Sequence, residues 1–555
     1  MKKVLLAAIN SKYIHTNLAV RYIKTYVEEY SDQKIDIYET SINNNISEVI
    51  RDIYDRNPET VIFSTYIWNK EYVFKLIKEV KKILPETSIV LGGPEVSYDS
   101  ISVMKEKDEV DYIITGEGER TTLEFLTKDI AEVSGVYYRG ADNRDEVKYN
   151  GNQAPIIDLD EIPFPYTLDE LENNGTKILY YESSRGCPFA CSYCMSSIER
   201  SVRYFSSERT KEDLKKFLDS GIKLVKFVDR TFNLKKERYM DIWEYLLSVY
   251  SEDTTFHFEI SADLFDDEVI EFLEGVPKDY FQFEIGVQTS NEKTMDAIKR
   301  SNDLEKLEHN VERIKDNIHL HLDLIAGLPY EDYDTFRRSF NYVHDMYPEM
   351  VQLGFLKILK GTQISTEVEK FDYRYMEFPP YEVLSNKFIS YREVTMLKDI
   401  EGVLDHYYNS EKFGRSLKFI LDNHYGSSFD FYEDVALYFR ENGYFQIGHK
   451  LISIFNHFYE FYKTKNFGDI DVFAEYLKHD YLMLGKPGNY PYWLVSHKDK
   501  EKYNAAIENL GFKSAREAHK KTEIERFFYD VSDGKKRQVD LLFIYDGREV
   551  KVQEC

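Results

Sequence analysis

Three cysteines crowd one short stretch, Cys187-Pro-Phe-Ala-Cys191-Ser-Tyr-Cys194, and the rest of the chain holds only one more, Cys555. Thiolates at C-x3-C-x2-C spacing share a loop and can share an inorganic centre. A structural zinc site closes with four protein donors, as an ordinary iron–sulfur site does, whereas three thiolates on a four-iron cluster leave one iron open to an outside ligand. No fourth Cys or His lies at zinc-ligand spacing from this loop. The chemistry these residues predict is that of an open, reactive iron.

Such a loop must be positioned by a scaffold, and the sequence reads as α/β. Residues 1–150 alternate short β-branched runs, near Val4–Ile9, Ile35–Glu39, Val61–Ser64, Ile89–Leu91 and Tyr112–Thr115, with amphipathic stretches. That pattern predicts a doubly wound parallel sheet. Pro155, Pro163 and Pro165 then interrupt any helix, and residues 151–176 read as an interdomain linker. A second alternating series over residues 177–378 has strands near Ile178–Glu182, Leu224–Val228, Phe256–Ile260, Phe281–Val287, Leu320–Ile325 and Gln352–Leu356. These units predict a partial (βα)6 barrel with the cysteine loop at the C-terminal end of its first strand, the face where parallel βα architectures collect their chemistry. After Pro379 and Pro380, residues 379–555 read as a mostly helical domain rich in Tyr and Phe, ending in a hairpin around Phe527–Val552.

The chain has 555 residues, which suggests about three domains. A formal net charge of −26 argues against a broad nucleic-acid surface. Lysine-rich stretches at 75–82 and 498–502 are interleaved with acids or apolar residues and read as solvated helix faces. The N-terminal apolar run is too short for a signal peptide, and no run is long enough to span a bilayer. Few cysteines, mostly clustered, fit a reducing compartment. A cytoplasmic protein without a membrane partner is expected.

The cysteine loop, with an aromatic residue before its last cysteine, resembles the radical S-adenosylmethionine (radical SAM) signature. The resemblance implies that Cys187, Cys191 and Cys194 bind a [4Fe–4S] cluster whose fourth iron takes the amino and carboxylate groups of SAM. It further implies reductive cleavage of SAM to a 5′-deoxyadenosyl radical. Later segments resemble the family's strand-end motifs in matching order. Phe227-Val-Asp-Arg-Thr-Phe-Asn233 nominates Asp229 for the SAM amino group, and Phe256-His-Phe-Glu-Ile260 nominates Glu259. Phe283-Glu-Ile-Gly-Val-Gln-Thr289 nominates Glu284 and Gln288, and His321-Leu-Asp-Leu-Ile-Ala-Gly-Leu-Pro329 resembles the segment that packs on adenine. Tyr193 belongs to the cysteine motif itself. Arg300 can pair bidentately with the SAM carboxylate or make a helix-surface salt bridge. Each strand-end carboxylate has an ordinary ion-paired reading beside the cofactor one.

A parallel sheet ahead of such a barrel resembles the cobalamin-binding fold of many radical SAM enzymes. The residues carrying this are Phe63-Ser64-Thr-Tyr66, Leu91-Gly92-Gly93-Pro94-Glu95 and Ile114-Thr-Gly116-Glu117-Gly118-Glu119. The small residues would let backbone approach a corrin edge or nucleotide tail. A dinucleotide fits poorly, because the first strand is followed by Asn10-Ser-Lys-Tyr13-Ile-His15 instead of G-x-G-x-x-G. Many cobalamin proteins carry D-x-H-x-x-G here, with His as the lower cobalt ligand; in this chain Tyr13 and Leu18 replace Asp and Gly. His15 then ligates weakly, contacts the corrin or is a loop histidine, and Tyr13 is an alternative cover for the lower face.

The resemblance implies an oxygen-sensitive enzyme that methylates an unactivated carbon. In that cycle one SAM methylates reduced cobalamin, and a second gives the radical that activates the substrate. Rival readings are a non-methylating radical rearrangement, cyclisation or ring contraction, or a cobalamin- and SAM-responsive binding protein without turnover. The partners implied are a small-molecule or peptide substrate and a one-electron donor of flavodoxin or ferredoxin type; nucleic acid is disfavoured. Cys555 reads as an incidental thiol, with methyl carriage as the alternative, and residues 379–555 as the region of substrate specificity.

Overall fold

In Val4–Asn10 every residue is buried, the mark of a strand covered on both faces. In the computed structural model this strand, β1, lies parallel to β2 (Ile35–Ser41) and to β3 (Thr60–Ser64) on its two sides. The strands β4 (Ser88–Gly92) and β5 (Tyr112–Ile114) continue the parallel series, and β6 (Val136–Arg139) and β7 (Val147–Tyr149) close it in antiparallel sense, in the order β2-β1-β3-β4-β5-β6-β7. The pleat sends Leu5, Ala7 and Ile9 into one core with Phe63 and Leu91, and Val4, Leu6 and Ala8 into another with Ile62 and Val90. Strand order reverses at β1 and β3, so the loops leaving their C-terminal ends diverge. Open α/β sheets bind ligands at such a switch point. The structure describes residues 2–140, 143–173, 177–508, 510–547 and 549–555.

The second sheet is laid down in sequence order: β8 (Leu179–Tyr181), β9 (Leu224–Phe227), β10 (Thr255–Ile260), β11 (Phe281–Gln288), β12 (His319–Ala326) and β13 (Met350–Phe355). From β8 to β12 each strand runs parallel to its neighbour. Helices such as Ser207–Asp219 and Lys236–Ser248 connect successive strands. The two end strands do not pair with each other, so this is a partial barrel, as the six-fold alternation predicts. The β11–β12 register slips between Gly286 and Gln288, and Gln288 takes a left-handed φ of 69°. That bulge re-aims the Gln288 side chain at the strand end.

The proline-containing segment between the sheets is a packed strap. Ile156, Leu159 and Ile162 are fully buried against Tyr22, Tyr26 and Phe205. The Tyr166 hydroxyl donates to the Tyr180 carbonyl and accepts from the Tyr180 amide. Residues 174–176 of the expected linker lie outside the described residues.

The first sheet and β8 to β12 belong to one compact unit, residues 1–332 with 354–389; the other comprises residues 333–353 and 390–555 and takes in most of β13. In the second unit the helices Tyr391–Tyr407, Gly414–His424, Ser428–Glu441, Leu451–Lys465 and Ile470–Met483 bury an aromatic core. Phe455, Phe458, Phe461 and Tyr462 are part of it. The expected terminal hairpin is instead a three-stranded antiparallel sheet, Thr522–Tyr529, Lys536–Asp546 and Glu549–Glu554. No helix among the described residues is long and apolar enough to cross a membrane.

Candidate functional site

The cysteine loop follows β8 and is fastened on several sides. The Cys187 amide donates to the Glu199 carbonyl, Ser192 N to Ile298 O at 2.8 Å and Ile364 N to Ser192 O at 2.9 Å. Gly186 has φ +100°, and a Cβ there would overlap the Ser201 carbonyl, so only glycine fits. Cys187 and Cys191 are buried and Cys194 partly so. Burial pushes the Cys187 thiol up, and Cys194 and Cys191 add to that as neighbouring charges. Among the described residues no three His, Cys, Asp or Glu side chains converge on one metal ion. A four-iron cluster does not ask for that convergence, since each thiolate binds a different iron.

Beside Cys191 and Cys194 lies a recess of about 190 Å³, lined also by Phe189, Tyr193, Arg230, Glu259, Glu284, Gln288, Arg300, Asn302 and Asp323. Five of the six residues nominated for SAM meet here. Gln288 Oε1 and Arg300 Nε are buried without a hydrogen-bond partner, which fits a polar ligand. Arg300 also donates to the Gly286 carbonyl, and its other terminal nitrogen lies 3.8 Å from Cys191 Sγ. Burial pushes the Glu259 carboxyl up to about 7, against the pull of Arg230. Burial acts on Glu284 too, but the hydrogen bond to His257 and the Lys226 ammonium at 2.9 Å hold it well below the usual range.

Asp229 is not brought to this recess. Its buried carboxylate accepts from Ser183 N at 2.9 Å, Ser183 Oγ at 2.7 Å and Ser184 Oγ at 2.5 Å. It pins the strand end that leads into the cysteine loop. The neighbouring Arg230 faces the cavities instead.

A chamber of about 660 Å³ adjoins the recess, with Arg230 in the wall of both. The loop after β1 supplies His15 and the loop after β3 supplies Tyr66, stacked on Trp68 at 4.5 Å. The β5 loop supplies Gly116, Glu117, Gly118 and Glu119, β8 supplies Tyr180, and the segment after β8 supplies Glu182 and Arg185. Arg185 is spent on three carboxylates: Glu182 at 2.9 Å, Glu119, and Glu117 at 3.6 Å. Arg203 takes Glu117 and, at 3.1 Å, Glu199. The first-loop backbone is fixed by Asn10 Nδ2 donating to the His15 carbonyl and by Ile178 N donating to the Ile14 carbonyl. His15 Nδ1 shares a 2.7 Å hydrogen bond with the Tyr180 hydroxyl, and burial lowers the imidazole's pKa.

A third space, about 310 Å³ and mostly apolar, runs from the chamber between the sheet and the helices Leu18–Tyr30 and Gly118–Thr127. Tyr66, Gly116 and Gly118 line both spaces. Ser64, Gly92, Gly93, Pro94 and the orphaned hydroxyl of Thr122 complete the slot. Gly93 has a reason other than ligand approach: at φ +104° its Cβ would lie 2.6 Å from the Thr65 carbonyl. Tyr13 and Glu95 are in neither space. Tyr13 is 74% exposed, with the Lys177 ammonium 4.9 Å from its ring centroid. Glu95 is buried against Lys70 at 3.4 Å and accepts from the Tyr381 hydroxyl at 2.8 Å.

Sequence reasoning did not single out Phe189, Tyr180, Glu182, Arg185, Arg230, Asn302 or Asp323. Their signal was adjacency to the motifs, Arg185 two residues before Cys187 and Arg230 directly after Asp229.

Residues 4–126 match the B12 binding domain, residues 181–343 the Radical SAM superfamily, and residues 369–543 a family described as a protein of unknown function (DUF4080). The chain is 29% identical over 237 residues to an uncharacterized methyltransferase of Pyrococcus horikoshii, covering 40% of this chain and 51% of that protein. It is 24% identical over 373 residues to the cobalamin-dependent radical SAM methyltransferase TokK of Streptomyces tokunonensis, covering 60% of this chain and 52% of that one. The chain thus spans about half the length of these curated relatives. Among solved structures it is similar to the cobalamin-dependent S-adenosylmethionine radical enzyme OxsB with aqua-cobalamin bound. The TM-score is 0.62 at 16% identity over 87% of this chain and 80% of that one, a likeness of fold.

Proposed function

The chain belongs to the radical SAM enzymes that carry a cobalamin-binding domain, and from that premise we propose that it methylates an unactivated carbon of a substrate held between its two cofactor cavities. The cofactors are a [4Fe–4S] cluster, SAM and cobalamin. Bound, they supply a hydrogen-abstracting radical at the cluster side and a methyl donor at the other, so the protein's part is geometry.

The observation that carries the reading is the continuity of the three spaces. The slot shares Tyr66, Gly116 and Gly118 with the chamber, and the chamber shares Arg230 with the recess. The slot, mostly apolar and carrying the unpartnered Thr122 hydroxyl, suits the nucleotide tail, and the chamber suits the corrin. In the recess Gln288 and Arg300 offer their unpartnered atoms to SAM, Glu259 faces its cationic groups, and Cys187, Cys191 and Cys194 hold the cluster. A substrate then occupies the junction at Arg230, within reach of both sides.

The test is anaerobic incubation of the reconstituted, reduced protein with methyl-labelled SAM and cell extract, followed by mass spectrometry. Label in a new product together with 5′-deoxyadenosine is expected. The nucleoside without label transfer would replace methylation by a radical rearrangement, and absence of SAM cleavage would leave a binding protein.

A further inference from the structure

Three guanidinium groups line the chamber and the recess among the described residues, those of Arg185, Arg230 and Arg300. Arg185 is surrounded by Glu117, Glu119 and Glu182. Arg300 is turned onto the Gly286 carbonyl and the cysteine loop. Arg230 differs from both: it makes no side-chain hydrogen bond or ion pair among the described residues and is exposed, in the one wall that the two cavities share.

The carboxylates nearby do not supply its missing partner. Glu117, Glu119 and Glu182 are taken by Arg185 and Arg203, and Glu284 by Lys226 at 2.9 Å. Glu259 lies beyond ion-pair distance of Arg230. Asp229, adjacent in sequence, points the other way into Ser183 and Ser184. An arginine fork left open in a partly enclosed cleft is a receptor for a planar or tetrahedral oxyanion, which it engages through two parallel N–H donors.

We propose that the methyl acceptor carries an anionic group, a carboxylate or a phosphate, and that Arg230 binds it, holding the reacting carbon between the two cofactor cavities. The assignment rests on the function proposed above. It makes Arg230 a specificity-determining residue and the substrate a polar anion instead of an apolar lipid or a neutral ring.

The test reads Arg230 directly and does not depend on turnover. Full-length protein loaded with cluster, cobalamin and SAM is treated with phenylglyoxal, and modification of Arg230 is followed by peptide mass spectrometry. Arg230 should stay reactive with both cofactors bound and become about tenfold slower when inorganic phosphate or acetate is added. Which anion protects tells phosphate from carboxylate. Protection by SAM alone or cobalamin alone would make Arg230 a cofactor contact and overturn the assignment; so would indifference to both anions. Failure of methyl transfer in the labelling assay would remove the reaction and leave this reading standing or falling on protection. Where labelled product forms, Arg230→Gln should raise the acceptor concentration for half-maximal transfer about tenfold, with partial rescue in Arg230→Lys. An unchanged requirement would overturn it.

Discussion

Nδ1 of His15 and the hydroxyl of Tyr180 lie 2.7 Å apart, and this contact decides what the other imidazole nitrogen can do. A carboxylate partner only accepts, which forces the proton onto Nδ1 and frees the Nε2 lone pair for a metal. A phenol can donate. When the phenol O–H donates its hydrogen bond to Nδ1, the hydrogen of the neutral imidazole sits on Nε2 and no lone pair is left there for a metal. Bound cob(II)alamin should therefore lack nitrogen superhyperfine splitting in its electron paramagnetic resonance spectrum, in the wild type and in His15→Ala alike. Tyr180→Phe should bring the splitting in, because it releases Nδ1. Splitting in the wild type that disappears in His15→Ala would show that His15 ligates despite Tyr180.

Glu259 gives a pH signature with a definite sign. Burial raises its carboxyl to about 7, while an unfolded glutamate titrates near 4.3. Between those values the folded chain binds more protons than the unfolded one, so stability falls as pH rises through the window and levels off above it. The effect is at most about 4 kcal/mol, from 1.36 kcal/mol per pKa unit. Urea midpoints of the cofactor-free protein at pH 5 and pH 8 should show it as a difference between wild type and Glu259→Gln, with the variant gaining at pH 8. SAM, which presents cationic groups, should bind about tenfold more tightly at pH 8 than at pH 6 to the wild type. A dependence equally steep in the variant would assign the titration elsewhere.

Lys70, Glu95 and Tyr381 form a buried set in which the lysine donates to the tyrosine hydroxyl at 2.9 Å and the tyrosine donates to the glutamate at 2.8 Å. Burial lowers the Lys70 pKa, although Glu95 and Asp99 oppose it. Removing the cation alone strands a carboxylate, so Lys70→Met should cost about 3–5 kcal/mol by denaturant unfolding. Because Glu95 faces neither cavity, Glu95→Gln should keep the full cobalamin stoichiometry. Loss of corrin binding at unchanged stability would return Glu95 to the cofactor site.

The two sheets were legible because apolar runs such as Val4–Ile9 and Phe281–Val287 recur at βα spacing, the first buried on both faces and the second alternating with period two, and neither gives a competing helical period. Glu259, Glu284 and Gln288, nominated from strand-end motifs, line the recess together with Tyr193 of the cysteine motif and Arg300 from the segment after β11. What failed was facing. At the end of β9, Asp229 and Arg230 point opposite ways, and chemical type alone favoured the carboxylate over the residue that lines both cavities. Glu95 failed for a different reason: its partner Tyr381 is 286 residues away, a contact no local pattern encodes. Gly93 lines the slot, and the Thr65 carbonyl is a second reason for glycine there that no local pattern encodes.

The cysteine loop sets the last expectation. With no side-chain atoms at Gly186, the chain turns at φ +100° with the Ser201 carbonyl where a Cβ would stand. Any side chain there must push that carbonyl away, and the Cys187 amide, which donates to the Glu199 carbonyl, moves with it. Cys187 should then lose its place relative to Cys191 and Cys194, which are tied separately through Ser192 to Ile298 and Ile364. Gly186→Ala should therefore lower iron and acid-labile sulfide per chain well below the four expected of the wild type, as Cys187→Ala should too, while corrin binding in the reconstituted protein persists. Cys555→Ala, in the other compact unit, should leave iron and SAM cleavage unchanged. A full cluster in Gly186→Ala would mean that the loop does not need this turn to gather its three thiolates.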